Sequence, residues 1–150
     1  MTGHAHAPTS RARELPQGDE EATSELRLGE FAGVPSLSLS EARLLINVVM
    51  DKRKEKTGGR EVQDTEMLVK TQEYLRVFAR FQEKENIEAV ERLLLSRPNL
   101  EPFERSQLGS LCCESAEEAK TLIPSLTNKE SDADLQDILD EITKLRNFVE

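Results

Sequence analysis

Residues 38–56 read SLSEARLLINVVMDKRKEK and decide the fold, because they contain a complete helix together with its N-terminal cap. Ser38 and Glu41 form a capping-box pattern, in which each side chain accepts a hydrogen bond from the other residue's backbone N–H. The helix is predicted to run from about Leu39 to Glu55. Its apolar side chains cover an arc of about 240°, much wider than the stripe of an ordinary surface helix. They are Ala42, Leu44, Leu45, Ile46, Val48, Val49 and Met50.

A helix with so wide an apolar arc is expected to be buried on two sides. One side packs against the chain's own bundle. The other side is covered by a partner protein, or the helix lies at the centre of the bundle. The pattern leaves both arrangements open.

Downstream, helical periodicity and cap signals predict further short helices, which gives an all-α bundle of five to six helices in total. The predicted ranges are about Glu66–Phe81, Asn86–Leu95, Pro102–Leu111, Ser115–Pro124 and Asp132–Phe148. Ser115 and Glu118 repeat the capping-box pattern. Predicted core positions are Met67, Thr71, Tyr74, Phe78 and Phe81, then Ile87, Val90, Leu93 and Leu94, and finally Leu135, Ile138, Leu139, Ile142, Leu145 and Val149.

The N-terminal quarter of the chain lacks the helical period. Residues 1–24 contain a single leucine among small, polar and charged residues, so a disordered tail is predicted. Residues 25–39 are predicted to be an extended arm, since Leu26–Phe31 alternates apolar and polar residues and Leu37–Leu39 does so again. A strand in this arm pairs with another protein's sheet, or the arm lies irregularly on its own bundle. The helical domain then spans residues 40–150.

Composition excludes several classes of function. The chain has 150 residues, a formal net charge of −9 and no Trp, which argues against an aromatic platform for nucleic acid. No apolar run approaches the roughly 20 residues of a membrane span, and no secretory signal is apparent, which favours an intracellular location. Both histidines lie in the tail and Cys112 and Cys113 are adjacent, so neither a catalytic triad nor a tetrahedral metal site is expected. We predict no enzymatic activity, metal or cofactor.

Charge is unevenly distributed along the chain. Residues 40–60 carry six basic and three acidic side chains, a balance of +3, whereas residues 114–150 carry four basic and ten acidic, a balance of −6. The basic side chains are Arg43, Lys52, Arg53, Lys54, Lys56 and Arg60. All of them except Lys56 support a nucleic-acid-binding module as an alternative. Lys52, Arg53 and Lys54 also resemble a nuclear localisation element, but the helix dipole favours basic residues at a helix end, and that interpretation is preferred.

Several segments resemble a known family. LGSLC at 108–112 and SAEEAKTLIPSL at 115–126 are similar to the signature of the fourth subunit of eukaryotic RNA polymerase II, the smaller half of the polymerase stalk, which has an archaeal relative. LRLGEF at 26–31, LSEAR at 39–43, YLRVFARF at 74–81 and LQDIL at 135–139 match in the same order. The resemblance covers about Leu26 to Phe148.

The resemblance implies a non-catalytic polymerase subunit with an HRDC-like helical domain behind an N-terminal arm. It implies that the arm and the first helix bind the larger stalk subunit, an OB-fold protein, in a heterodimer. Leu26, Leu28 and Phe31 are expected to add a strand to this partner, and Leu37, Leu39, Leu45, Val48 and Val49 to fill its apolar groove. The heterodimer is expected to dock on the RNA polymerase II core near the clamp, to support initiation and to link transcription with RNA processing.

The implied location is the nucleus, with the cytoplasm as an additional compartment, and no membrane contact is expected. Direct RNA contact is expected to be weak or indirect. Two alternatives stay open: the equivalent stalk subunit of RNA polymerase III, and a stand-alone HRDC-like nucleic-acid-binding module. The connection between the first two helices, about Thr57 to Gln63, is short here but long and acidic in some yeast members. Functions tied to that insertion are therefore not transferred.

Overall fold

The helices indicated by the cap signals are present in the structure, a computed structural model that describes residues 18, 20–59 and 63–147. They are α1 (Leu39–Lys56), α2 (Glu66–Phe78), α3 (Lys84–Leu95), α4 (Pro102–Leu111), α5 (Ala116–Leu122) and α6 (Asp132–Asn147). One turn of 3₁₀ helix covers Gly29–Phe31 and a longer one covers Pro124–Asn128. The predicted all-α bundle is confirmed. Most of the predicted tail, together with Arg60, Phe148 and Val149, lies outside the described residues.

Serine hydroxyls cap three of these helices, and at the start of α6 the Ser131 hydroxyl accepts a hydrogen bond from Asp134 N–H. The Ser38 hydroxyl accepts a hydrogen bond from the backbone N–H of Glu41, and the Glu41 carboxylate accepts one from Ser38 N–H. The second box is only half formed, because the Glu118 carboxylate accepts its bond from Glu114 N–H and not from Ser115. The Glu118 side chain therefore also holds Glu114, the residue just before the N-cap of α5.

The buried hydrophobic cluster is built from the C-terminal half of the chain. Helix α6 packs against α3 and α5, and α4 packs against α3. The buried cluster consists of Phe81, Ile87, Val90, Leu94, Leu100, Leu108, Cys112, Cys113, Ala116, Ala119, Ile123, Leu126, Leu135, Ile138, Leu139 and Ile142. The predicted core positions on α3 and α6 are confirmed, with Leu93 and Leu145 partly buried against the cluster.

Helices α1 and α2 lie outside this cluster. Helix α1 packs against α3, α4 and α2, and the only residue it buries fully is Ser40, with Leu44 partly buried against the core. Helix α2 packs mainly against α1 and buries only Leu75. The two helices therefore form a peripheral layer on the bundle.

The prediction for the apolar face of α2 is wrong in most positions. Phe81 is buried, but it follows the helix, which ends at Phe78 because Ala79 adopts extended backbone angles. Met67, Tyr74 and Phe78 are 78%, 53% and 45% exposed. Periodicity identifies an apolar face but not what covers it, and α2 turns this face away from the core.

Candidate partner-binding interface

The N-terminal end of α1 is held against the bundle by two long-range hydrogen bonds to serine hydroxyls. Leu39 N–H donates to Ser110 Oγ at 3.1 Å, which joins α1 to α4. Phe81 N–H donates to the buried Ser40 Oγ at 3.0 Å, which joins α1 to the segment after α2. Because both bonds are partly or fully shielded from water, they fix the direction in which α1 presents its remaining faces.

One face of α1 carries an exposed apolar stripe, formed by Leu45, Val48 and Val49. These side chains are 53%, 42% and 41% exposed, and their spacing of three and four residues places them on the same side of the helix. A central position for α1 in the bundle is therefore wrong. The other arrangement, in which a partner protein covers this side of α1, stays a prediction.

The arm combines extended and turn conformations. Glu21–Ala22 pairs antiparallel with Leu26–Arg27, so the hairpin begins within the segment that composition marked as tail. Residues 29–31 form a 3₁₀ turn closed by a bond from Phe31 N–H to the Leu28 carbonyl. Alternation predicted a strand over the whole of 26–31, and this extent is wrong.

Gly29 explains the break in the strand. Its φ is +53°, and a Cβ at this position would lie 2.9 Å from the Glu20 carboxylate. Residues with a side chain adopt this left-handed conformation rarely, so a glycine at position 29 allows the chain to turn here and leave the extended conformation.

The predicted arm residues divide into two groups. Phe31 and Leu37 are exposed, whereas Leu26, Leu28 and Leu39 are partly buried. Leu26 and Leu28 line a cavity of about 340 Å³ together with Glu101, Ser125 and Lys129. This part of the arm thus lies against the chain's own bundle, which is the second of the two arrangements that the pattern left open.

Leu37 lines a second cavity beneath the arm. Its volume is about 350 Å³, and it lies between residues 33–38, the start of α1, and helices α3 and α4. Phe81, Ile87, Val90 and Leu94 form its floor, and Glu91 and Arg105 contribute polar groups. The arm therefore does not close tightly over the bundle on the side that carries Leu37.

Helix α2 adds exposed apolar residues that the sequence analysis assigned to the core. Met67, Tyr74 and Phe78 recur along one face, Val77 lies beside them, and the rings of Tyr74 and Phe78 are 4.6 Å apart between centroids. Since Leu75 is buried on a different side, α2 is apolar on two sides, as α1 is. The wide apolar arc that singled out α1 is thus the signal that could have identified this face.

The far end of α1 is basic. Lys52, Arg53, Lys54 and Lys56 are all exposed. None of these four side chains forms an ion pair with another described residue. The outer face of α6 is acidic, with Asp137, Asp140 and Glu141 exposed, so the end of α1 and the outer face of α6 carry opposite charge.

The cysteines are buried in the bundle, as small apolar side chains are. Desolvation by burial raises the pKa of Cys113 to about 11, with the nearby Glu118 carboxylate and Cys112 adding to the effect. Burial likewise raises the pKa of Cys112, against the opposing effects of Arg146 and Arg80. Raised thiol pKa values disfavour the thiolate that nucleophilic chemistry requires, so neither residue has the character of a reactive cysteine.

Over the described ranges, no three His, Cys, Asp or Glu side chains are placed to hold a metal ion together. Within the same ranges, no helix combines the length and the apolar content that crossing a membrane requires. The surface features that the described residues do present are the apolar stripes of α1 and α2, the open arm and the basic end of α1. These are features of a protein-binding surface.

Comparison with known proteins gives a consistent result. The family model for RNA polymerase Rpb4 matches residues 36–146. The chain is 50% identical over 130 residues to DNA-directed RNA polymerase II subunit rpb4 of Schizosaccharomyces pombe, covering 86% of this chain and 94% of that protein. It is 49% identical over 92 residues to RPB4 of Saccharomyces cerevisiae, covering 61% of this chain and 39% of the relative. Over 134 residues it is 28% identical to DNA-directed RNA polymerase II subunit 4 of Arabidopsis thaliana, covering 87% of this chain and 96% of that protein.

Proposed function

Because this chain belongs to the RNA polymerase Rpb4 family, we propose that it acts as a non-catalytic stalk subunit of RNA polymerase II, paired with an OB-fold subunit. It is similar to fourth subunits of RNA polymerase II from fungi, an amoeba and a plant, so it is a subunit of that nuclear polymerase. These names favour polymerase II over the equivalent position in RNA polymerase III. The heterodimer and its partner are the proposal.

The observation that supports a heterodimer is the exposed stripe of Leu45, Val48 and Val49 on a helix whose start is fixed by buried hydrogen bonds. Fully burying an exposed aliphatic side chain contributes about 1.5 to 3 kcal/mol, and these side chains are already half covered. The stripe therefore contributes part of the association free energy, and the exposed Phe31 and Leu37 of the arm extend it. Leu26, Leu28 and Leu39 are expected to hold the arm in place, and their remaining exposed surface is expected to become buried when the partner binds.

Co-expression with the OB-fold stalk subunit tests this interface. The wild-type chain is expected to co-purify in a 1:1 complex that resists high salt. Leu45→Asp with Val48→Asp places two charges in the proposed interface and is expected to abolish co-purification. Leu122→Asp on α5 is the matched control, because Leu122 is as exposed as Leu45, at 53%, but lies on another element. Retention of the partner by both variants, or loss by both, contradicts the proposed interface.

We further infer that the heterodimer docks on the polymerase core, supports initiation and connects transcription to RNA processing. Polymerase lacking this subunit is expected to initiate poorly at promoters in vitro and to recover when the wild-type heterodimer is added. The Leu45→Asp, Val48→Asp chain is expected to give no recovery, because it does not reach the polymerase. Full recovery with that variant would separate the initiation role from the stalk.

A second candidate function is direct RNA binding by the basic end of α1. Its support is the exposure of Lys52, Arg53, Lys54 and Lys56 without ion pairs among the described residues. Binding through phosphates weakens steeply as salt rises. Titration of the isolated subunit with labelled single-stranded RNA at low and high salt tests it, and absence of binding at low salt eliminates this candidate.

A further inference from the structure

The basic end of α1 continues the apolar stripe on the same side of the helix. Lys52 follows Val48 by four residues and Lys56 follows Lys52 by four, so both lysines line up with the stripe. At 3.6 residues per turn, all five side chains of this face lie within an arc of about 100°. They are Leu45, Val48, Val49, Lys52 and Lys56.

The other two basic residues at this end lie outside this arc. On the same helical geometry, Lys54 lies about 160° away from Lys52, whereas Arg53 follows Val49 by four residues and lies at the edge of the stripe. All four residues are exposed and none forms an ion pair with a described residue. The dipole of α1 favours all four basic residues alike. It therefore explains why they lie at this end of the helix, but not why Lys52 and Lys56 line up with the stripe.

We propose that the partner surface that covers α1 is apolar opposite Leu45, Val48 and Val49 and acidic opposite Lys52 and Lys56. This inference rests on the proposed function, since it specifies the chemistry of the surface that the stalk partner presents. The opposite end of the stripe differs, because the Glu41 carboxylate is held by Ser38 N–H in the capping box. The basic charge therefore lies at one end of the stripe only.

An acidic region facing Lys52 and Lys56 determines which way round the partner docks. An apolar stripe alone tolerates more than one orientation, whereas a charge at one end disfavours the reverse one. The same attraction accelerates the encounter of the two proteins and weakens as salt rises. The apolar residues supply affinity, and the two lysines supply orientation and rate.

The experiment compares two charge-reversed chains of identical net charge change, each titrated with the purified OB-fold stalk subunit at low and high salt. Lys52→Glu is expected to raise the Kd about fivefold at low salt, with a much smaller difference at high salt. Lys54→Glu is the control, because Lys54 lies on the opposite side of the helix, and it is expected to change the Kd by less than about twofold. Circular dichroism of both variants reports helix content, which is expected to fall equally if the dipole is perturbed.

Several outcomes overturn the inference. Equal weakening by both variants, or no effect of Lys52→Glu, contradicts an acidic region facing one side of α1. If single-stranded RNA, tested in parallel, loses affinity equally for both variants while the Kd for the partner is unchanged, the basic end serves RNA and not the partner. The Leu45→Asp, Val48→Asp chain is included because retained binding by that variant overturns the proposed function itself, independently of the lysines.

Discussion

Single polar side chains determine how α1 and the segment after α5 are held on the bundle. The Ser40 hydroxyl accepts a hydrogen bond from the N–H of Phe81, and Ser110 accepts one from Leu39. The fully buried Glu104 ties α4 to the segment after α5, accepting bonds from Ser125 at 2.6 Å and from the Lys129 ammonium at 2.9 Å. Removing one partner of such a buried bond leaves the other unsatisfied, which is more costly than the bond is stabilising.

The buried thiols give a testable dependence of stability on pH. The pKa of Cys113 is raised to about 11 in the folded chain, above the value of about 8.5 of an unfolded cysteine. The folded state therefore holds the proton more tightly. The contribution of the protonated Cys113 thiol to the free energy of unfolding is complete below the pKa of the unfolded state. It is lost as pH rises through the pKa of the folded state.

Urea unfolding measured between about pH 8 and pH 11 checks this contribution. The free energy of unfolding of the wild-type chain is expected to fall across this range more steeply than that of Cys113→Ala. The comparison cancels the titration of tyrosine and lysine side chains that both proteins share. Parallel pH profiles for the two proteins would show that Cys113 titrates alike in the folded and unfolded states.

Helix α2 shows where a hydrophobic pattern is insufficient. The spacing of Met67, Tyr74 and Phe78 correctly indicates a helix with an apolar face, but these side chains are exposed. The burial of Leu75 depends on α1, and nothing in the local sequence states which of two apolar sides a neighbouring helix covers. For α6, which has only one apolar side, the same reasoning succeeds.

Leu75 and Val77 lie two residues apart on α2 and are expected to differ sharply when truncated. Leu75 is 4% exposed, so Leu75→Ala is expected to lower the free energy of unfolding by about 2 to 3 kcal/mol through the cavity it leaves. Val77 is 65% exposed, so Val77→Ala is expected to change it by less than about 0.5 kcal/mol. Chemical denaturation followed by circular dichroism measures both, and similar values for the two variants would contradict the observed placement of α2 on α1.

At the scale of the molecule, the chain divides into a buried core and an outer layer with exposed apolar side chains. The buried cluster begins at Phe81, whereas the arm, α1 and α2 keep large apolar side chains exposed. The sequence predicted five to six helices, of which six are present among the described residues, and the core of α3 and α6, but it left open whether α1 has an uncovered side. The hydrogen bonds of Ser40 and Ser110 join residues 41 and 71 positions apart, and the apolar side of α2 depends on its packing against α1, so neither follows from local pattern.

Hydrogen exchange of the subunit, alone and with the OB-fold stalk subunit, tests the central claim most directly. Backbone amides exchange through local opening, and covering an exposed helix face slows that opening. Binding is predicted to slow exchange in α1 and in the arm around Phe31 and Leu37, and to leave the outer face of α6 unchanged. Slowed exchange confined to α5 and α6, with α1 exchanging as fast as in the isolated chain, would contradict the claim that α1 is the surface that this polymerase subunit presents to its partner.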